Sequence, residues 1–324
     1  MIDNNKESQT IDKAKQLYKT PWFTWFVFVL ITLQFLLFKY EEYFSQINVD
    51  TFKLFGAPDT VEIYQGHYWG VFTNNFLHTY WKLFIVNSVG IWFFGALIER
   101  RIGFPRFFAL FFFACIIPSL WQLTLTTEPG IGLSGVNFTL FGYLLYKSRK
   151  DDVFRFKYSF IKYFFLVFMV GELIYCNYHN YFVENIYRTE AMTAGILLGL
   201  LLGRISNVNR LIKYSTIALV TAIPLSTLFY APWSSEWQLY KGVKNHEENK
   251  FALAKSYYLK ALEIDPTNDL AKENLTLLKI DKLKSKAYDA HMKENYSLAR
   301  RYYEEILILS PDDEWAKVNL KELP

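Results

Sequence analysis

Apolar residues gather in long blocks over the first two-thirds of the chain, with polar residues collected between them. The first block, residues 21–39, is long enough to cross a bilayer as a helix. A mixed stretch of about forty residues follows, rich in Trp, Tyr and Phe. It is too long for a hairpin loop, and its aromatics suit a segment resting at a membrane interface. Further apolar blocks predict spans at about 83–98, 104–124, 132–146, 158–176, 190–203 and 211–230. In the sixth, Gly195, Gly199 and Gly203 fall on one helix face, where a neighbouring helix can approach closely.

From Pro232 the pattern becomes that of soluble amphipathic helices, and the segment from Ala254 to Pro266 is echoed 45 residues later by Ala299 to Pro311. Each echo follows another helical run, Trp237 to about Asn245 and Leu283 to about Lys293, and an extra helix is expected between the two at about 268–280. The expected architecture is all-α. It comprises a short N-terminal segment (1–20), a six-helix membrane domain (21–205), a seventh span with its linker (206–232) and a soluble helical domain (233–324).

Charge sets the orientation. Arg100, Arg101 and Arg106 follow the second span, Lys147, Arg149, Lys150, Arg155 and Lys157 the fourth, and Arg204, Arg210 and Lys213 the sixth. The other loops are poor in Lys and Arg, which puts the N-terminus in the cytoplasm, and the C-terminal domain and Ser134 outside it. A bacterial inner membrane is the expected location. The net charge of +4 is too small and too scattered for a nucleic-acid surface. Cys115 and Cys176 both lie in apolar blocks, so no disulfide or metal spacing is present, and no cofactor is expected. The polar N-terminus lacks the apolar core of a signal peptide.

The chemical candidate is Ser134, in Gly132-Leu133-Ser134-Gly135 at the mouth of the fourth apolar block. It reads either as a helix cap or packing residue, or as a nucleophile, which needs a base and oxyanion donors. Four motifs carry a resemblance. Phe76-Leu77-His78-Thr79-Tyr80-Trp81 precedes Asn87; Trp92 to Gly95 precedes Glu99-Arg100-Arg101-Ile102-Gly103; Gly132 to Gly135 precedes Asn137, Phe138 and Gly142; and Ala191 to Gly195 precedes Gly199. In this order and spacing they resemble the rhomboid intramembrane serine proteases over residues 21 to about 205.

That resemblance implies a catalytic serine at Ser134, a histidine base in the sixth helix, and oxyanion donors from Asn87 and a histidine one turn before it. This chain carries Met192 at the base position and Leu83 at the oxyanion histidine, and Trp69-Gly70 where the family has Trp-Arg. A thioether cannot take and return a proton. The resemblance therefore implies a rhomboid-like pseudoprotease that binds client transmembrane helices laterally within the lipid bilayer. Among the remaining histidines, His179 is the one candidate for a replacement base, in which case the chain is an active endopeptidase. His78 matches a structural position of the family, and His67, His246 and His291 lie in the first loop or the soluble domain. Glu172 and Glu190 read as a helix contact and an interfacial carboxylate. The C-terminal echoes resemble a pair of tetratricopeptide repeats: Gly242, Ala254, Tyr258, Ala261 and Pro266 match the first, and Ala287, Tyr288, Ala299, Tyr303 and Pro311 the second. This implies a groove for a soluble protein or peptide. If the membrane domain is only an anchor, these repeats do all the binding.

Overall fold

The computed structural model describes residues 20–125, 130–148, 163, 167 and 210–324. The expected fifth and sixth spans, with Glu172, Cys176, His179, Glu190 and Met192, lie outside the described residues. Those described form helices, with no strand among them. The chain divides into two compact units, the first ending at Ala231 and the second beginning at Pro232.

In the first unit, α1 spans Trp22–Phe44, about a turn longer than its apolar block. Three short helices, α2 (Val49–Leu54), α3 (Thr60–Tyr64) and α4 (Gly70–Thr73), occupy the aromatic stretch that follows. Then come α5 (Trp81–Ile102), α6 (Phe104–Leu125), α7 (Ser134–Ser148) and α8 (Arg210–Thr227). Three described helices, α1, α5 and α6, are long and apolar enough to cross a membrane. The helix at the seventh expected span, α8, falls short of that measure over its described length. It packs on α6, where Thr124 and Thr227 share a hydrogen bond of 2.8 Å.

The helices α1, α5 and α6 are apolar on the outside as well as the inside. In α1 the buried face is Phe23, Val27, Ile31, Phe35 and Phe38, at helical spacing, while Phe26, Leu33 and Leu37 are largely exposed. Such a helix suits a lipid solvent, where side chains need no polar outer face but every backbone group needs an internal partner. The core joins α1, α5, α6 and α7 through residues such as Ile31, Phe94, Phe107, Phe111, Val136 and Leu140.

Three polar contacts hold this apolar stack in register. The N-terminus of α1 has Pro21 at its cap position and no local side-chain cap. Glu99, near the end of α5 and only 4% exposed, supplies the acceptors from 75 residues away. Its carboxylate accepts from Phe23 N at 3.1 Å, Thr24 N at 2.8 Å and Thr24 Oγ1 at 2.7 Å. A carboxylate is well placed there, because the unpaired N–H groups give a helix N-terminus a partial positive charge. Gly95, one turn earlier, leaves room for Thr24; an added Cβ would sit 3.0 Å from its methyl group. The second contact is at Pro118, which removes a donor from α6. There the buried Asn75 amide lies 3.2 Å from Cys115 O and 3.1 Å from Ser119 Oγ, pinning the end of the first loop to α6. The third contact, between α5 and α7, forms the candidate site. Between its glycines α5 carries one π turn, Ile91–Gly95.

The second unit is built from α9 (Ser235–Glu247), α10 (Phe251–Ile264), α11 (Asp269–Met292), α12 (Tyr296–Leu309) and α13 (Glu314–Glu322). α9 pairs with α10 and α11 with α12, and the pairs repeat at a spacing of 45 residues. Asn249 and Glu294, both at φ +58°, turn the two hairpins at equivalent points. Tyr258 and Tyr303 are fully buried, and their hydroxyls meet His246 Nδ1 at 3.3 Å and His291 Nδ1 at 3.0 Å. Gly242 gives way to the Tyr258 ring, which a Cβ would approach to 2.4 Å. His246 Nε2 also reaches Asp281 at 3.1 Å, linking the first pair to α11.

The expected separate helix at 268–280 is not separate. It is continuous with the run that begins at Leu283, because no Gly or Pro interrupts 269–292 and the buried positions Ile280, Leu283, Ala287 and Ala290 keep one helical face. Asn268 caps this helix, accepting from Ala271 N at 2.9 Å and donating to Ser235 Oγ at 2.8 Å.

Replacing Glu99 with Ala leaves Phe23 N and Thr24 N without acceptors in an apolar surrounding. The expected loss is roughly 2–4 kcal/mol, read as a lower melting temperature in detergent, with Glu99→Gln falling between the two.

Candidate functional site

Ser134 is the first residue of α7, and the turn before it is fixed by glycine. Gly132 has φ +88°, and its N–H donates to Asn74 O at 3.0 Å. A Cβ at Gly132 would stand 3.3 Å from Asn87 Nδ2 and 3.4 Å from the His78 ring. Conformation and space both demand glycine. On the other side of Ser134, a Cβ on Gly135 would stand 2.7 Å from Pro118 Cβ, so α7 begins pressed against the proline of α6. Ser134 itself is half-buried, and its hydroxyl makes no hydrogen bond among the described residues.

Beneath this turn runs a buried chain of polar groups. His78 lies just before α5 in the chain. Its Nδ1–H donates to Phe76 O at 2.9 Å, leaving Nε2 as an acceptor. That nitrogen faces the Asn87 amide at 3.2 Å and Leu133 N at 3.4 Å. Asn87 in turn accepts from Asn137 Nδ2 of α7, at 3.1 Å on both its backbone and its side-chain oxygen. Asn137 fits because Gly90 offers no Cβ, which would lie 2.6 Å from Asn137 Cγ. The chain His78–Asn87–Asn137 thus ties the first loop, α5 and α7 together at the residues that flank Ser134.

Burial lowers the His78 pKa to about 4. At neutral pH the ring is uncharged, and its one acceptor nitrogen is already shared by two donors. It is built as a support for the Gly132–Leu133 turn and not as a base held ready for a serine proton. Leu83 stands one turn before Asn87 on the same face of α5 and is half-buried. It adds no donor, so Asn87 is the oxyanion candidate among the described residues, with one amide hydrogen committed to His78. Gly70 is explained by space: its Cβ would fall 2.3 Å from Pro58 Cγ, and an arginine there would displace the α2–α3 loop.

Ser134, Asn87 and Leu83 are therefore gathered in one region, while Met192 and His179 lie outside the described residues. The sequence reading took His78 as structural and gave Asn137 only as part of the motif around Ser134, with no role of its own. Both stood in quoted motifs, yet only contact across helices separated by 50 residues or more reveals the chain they form.

Residues 65–206 match the Rhomboid domain. The match covers Asn87, the Ser134 turn and the glycine-rich sixth block. A curated relative, the Rhomboid protease GluP of Bacillus subtilis (strain 168), is 32% identical over 122 residues. That alignment takes in 37% of this chain and 24% of the relative, so the chain matches about a quarter of the relative's length. Residues 65–206 are thus similar to a rhomboid domain, and three described helices of the chain are long and apolar enough to cross a membrane.

The His78 geometry carries a pH dependence. A histidine whose pKa is 6.5 unfolded and about 4 folded stabilises the fold fully above pH 6.5. Below that, the unfolded chain takes up a proton that the folded chain refuses. Stability should fall by about 3 kcal/mol between pH 6.5 and pH 4, and thermal melts of His78→Gln should lack that component.

Proposed function

We propose that this chain is a rhomboid-fold membrane protein that binds the transmembrane helices of other proteins without cleaving them. The observation that carries the reading is the pairing of an intact serine turn with missing chemistry. Ser134, Gly132 and Asn87 are in place, whereas Leu83 and Met192 stand where the family's histidines are expected. The serine hydroxyl makes no hydrogen bond among the described residues, and both ring nitrogens of His78 are already bonded elsewhere. Acyl transfer needs a base for the serine proton and donors for the oxyanion, and losing either costs orders of magnitude in rate. Packing glycines are retained where chemistry is not, which suits a scaffold kept for binding.

The second unit fits this role as a tetratricopeptide-like domain that holds a soluble protein or peptide. Its paired helices, small residues at Gly242, Ala254, Ala287 and Ala299, and buried tyrosines support that reading. The basic loops favour a cytoplasmic N-terminus with this domain on the opposite side of the membrane.

The protease in the relative's name favours a second reading, an active intramembrane serine endopeptidase with His179 as base. Fluorophosphonate labelling of the purified full chain separates the two. The expected result is that the chain labels no more than Ser134→Ala, while Met192→His combined with Leu83→His labels at Ser134. Labelling of the unaltered chain that is lost in both Ser134→Ala and His179→Ala would overturn the first reading and establish the second.

A further inference from the structure

The second unit carries a row of lysines that its core does not use. Lys279, Lys282 and Lys286 in α11 and Lys293 at its C-terminal cap follow one another at intervals of three, four and seven residues, which places them on one side of the helix over roughly 20 Å. All four are exposed, and none lies within ion-pair distance of a carboxylate among the described residues. Lys286 lies over the Tyr302 ring instead, 5.7 Å from its centroid. Four other lysines of the unit have carboxylate partners: Lys250 pairs with Glu248, Lys272 with Asp269, Lys284 with Asp313, and Lys317 with Glu314. No other described helix of the unit sets more than two lysines on one face. Asp289 shares the face, so the row holds four positive charges against one negative, a balance of +3.

We propose that this row docks the second unit onto the anionic headgroup surface of the membrane that holds the rest of the chain. Two observations select a lipid surface over a soluble acidic partner. The row is linear and runs along a single helix, as suits a plane of phosphates. The chain also leaves α8 at Thr227, beside Thr124 near the end of α6, and α9 starts at Ser235. A link of residues 228–234 reaches at most roughly 25 Å. The unit is thus confined to the neighbourhood of the bilayer, where effective concentration turns weak single-lysine attractions into a lasting contact.

The test uses the full chain reconstituted in vesicles of phosphatidylcholine alone, or of phosphatidylcholine with phosphatidylglycerol, footprinted with an amine-acylating reagent. Acylation of the four lysines should fall at least threefold in the phosphatidylglycerol vesicles relative to Lys255 and Lys260 on α10, and return in high salt as screening dictates. In K279Q/K286Q, Lys282 and Lys293 should regain most of their reactivity. Equal acylation in the two vesicle types would overturn the proposal. So would protection that appears only when an acidic protein is added, or protection that salt and the double substitution leave unchanged.

Discussion

A carboxylate buried between two apolar helices holds the described part of the first unit in register. Glu99 closes the open end of α1 from the far end of α5, and by doing so fixes how far each helix runs past the other. In an apolar solvent, hydrophobic side chains gain little from choosing one another over lipid, so helix register has to come from close packing and from polar groups that cannot remain unpaired. Glu99 is set where Gly95 lets Thr24 come close, and the two devices act at one point.

The same rule recurs at the Ser134 end. Asn75 fastens the first loop to α6 at Pro118, and His78, Asn87 and Asn137 fasten that loop, α5 and α7 to one another. Each contact pairs an amide or ring nitrogen with backbone or with another amide, beside a glycine or proline that creates the space. A serine turn held in this way needs no catalytic function to remain ordered. The scaffold and the chemistry are separable, and a chain can lose one while keeping the other.

The C-terminal unit obeys a different economy. Four of its five helices are capped, by Ser234, Asn268, Asn295 and Asp313, and the unit buries two tyrosines whose hydroxyls are satisfied by histidines at equivalent positions. Here water drives the apolar faces together, and the polar groups mark where helices begin and end.

Much of this was written in local pattern. Apolar block lengths placed α1, α5, α6 and α7, because span length is set by bilayer thickness and every residue in a block contributes to it. The motifs around Asn87 and Ser134 were legible as types at a spacing, and so was the 45-residue echo. The single helix at 269–292 was harder to read, since the echo suggested a break that neither Gly nor Pro enforces. Only the tertiary structure decided which polar residues meet. His78 reads as a surface histidine until Leu133 N and Asn87 are seen against its ring, and Gly70 reads as a missing arginine until Pro58 fills its space. Periodicity reports which face of a helix is buried. It carries no information about which distant side chain lies across that face, because such partners are set by helix crossing and register.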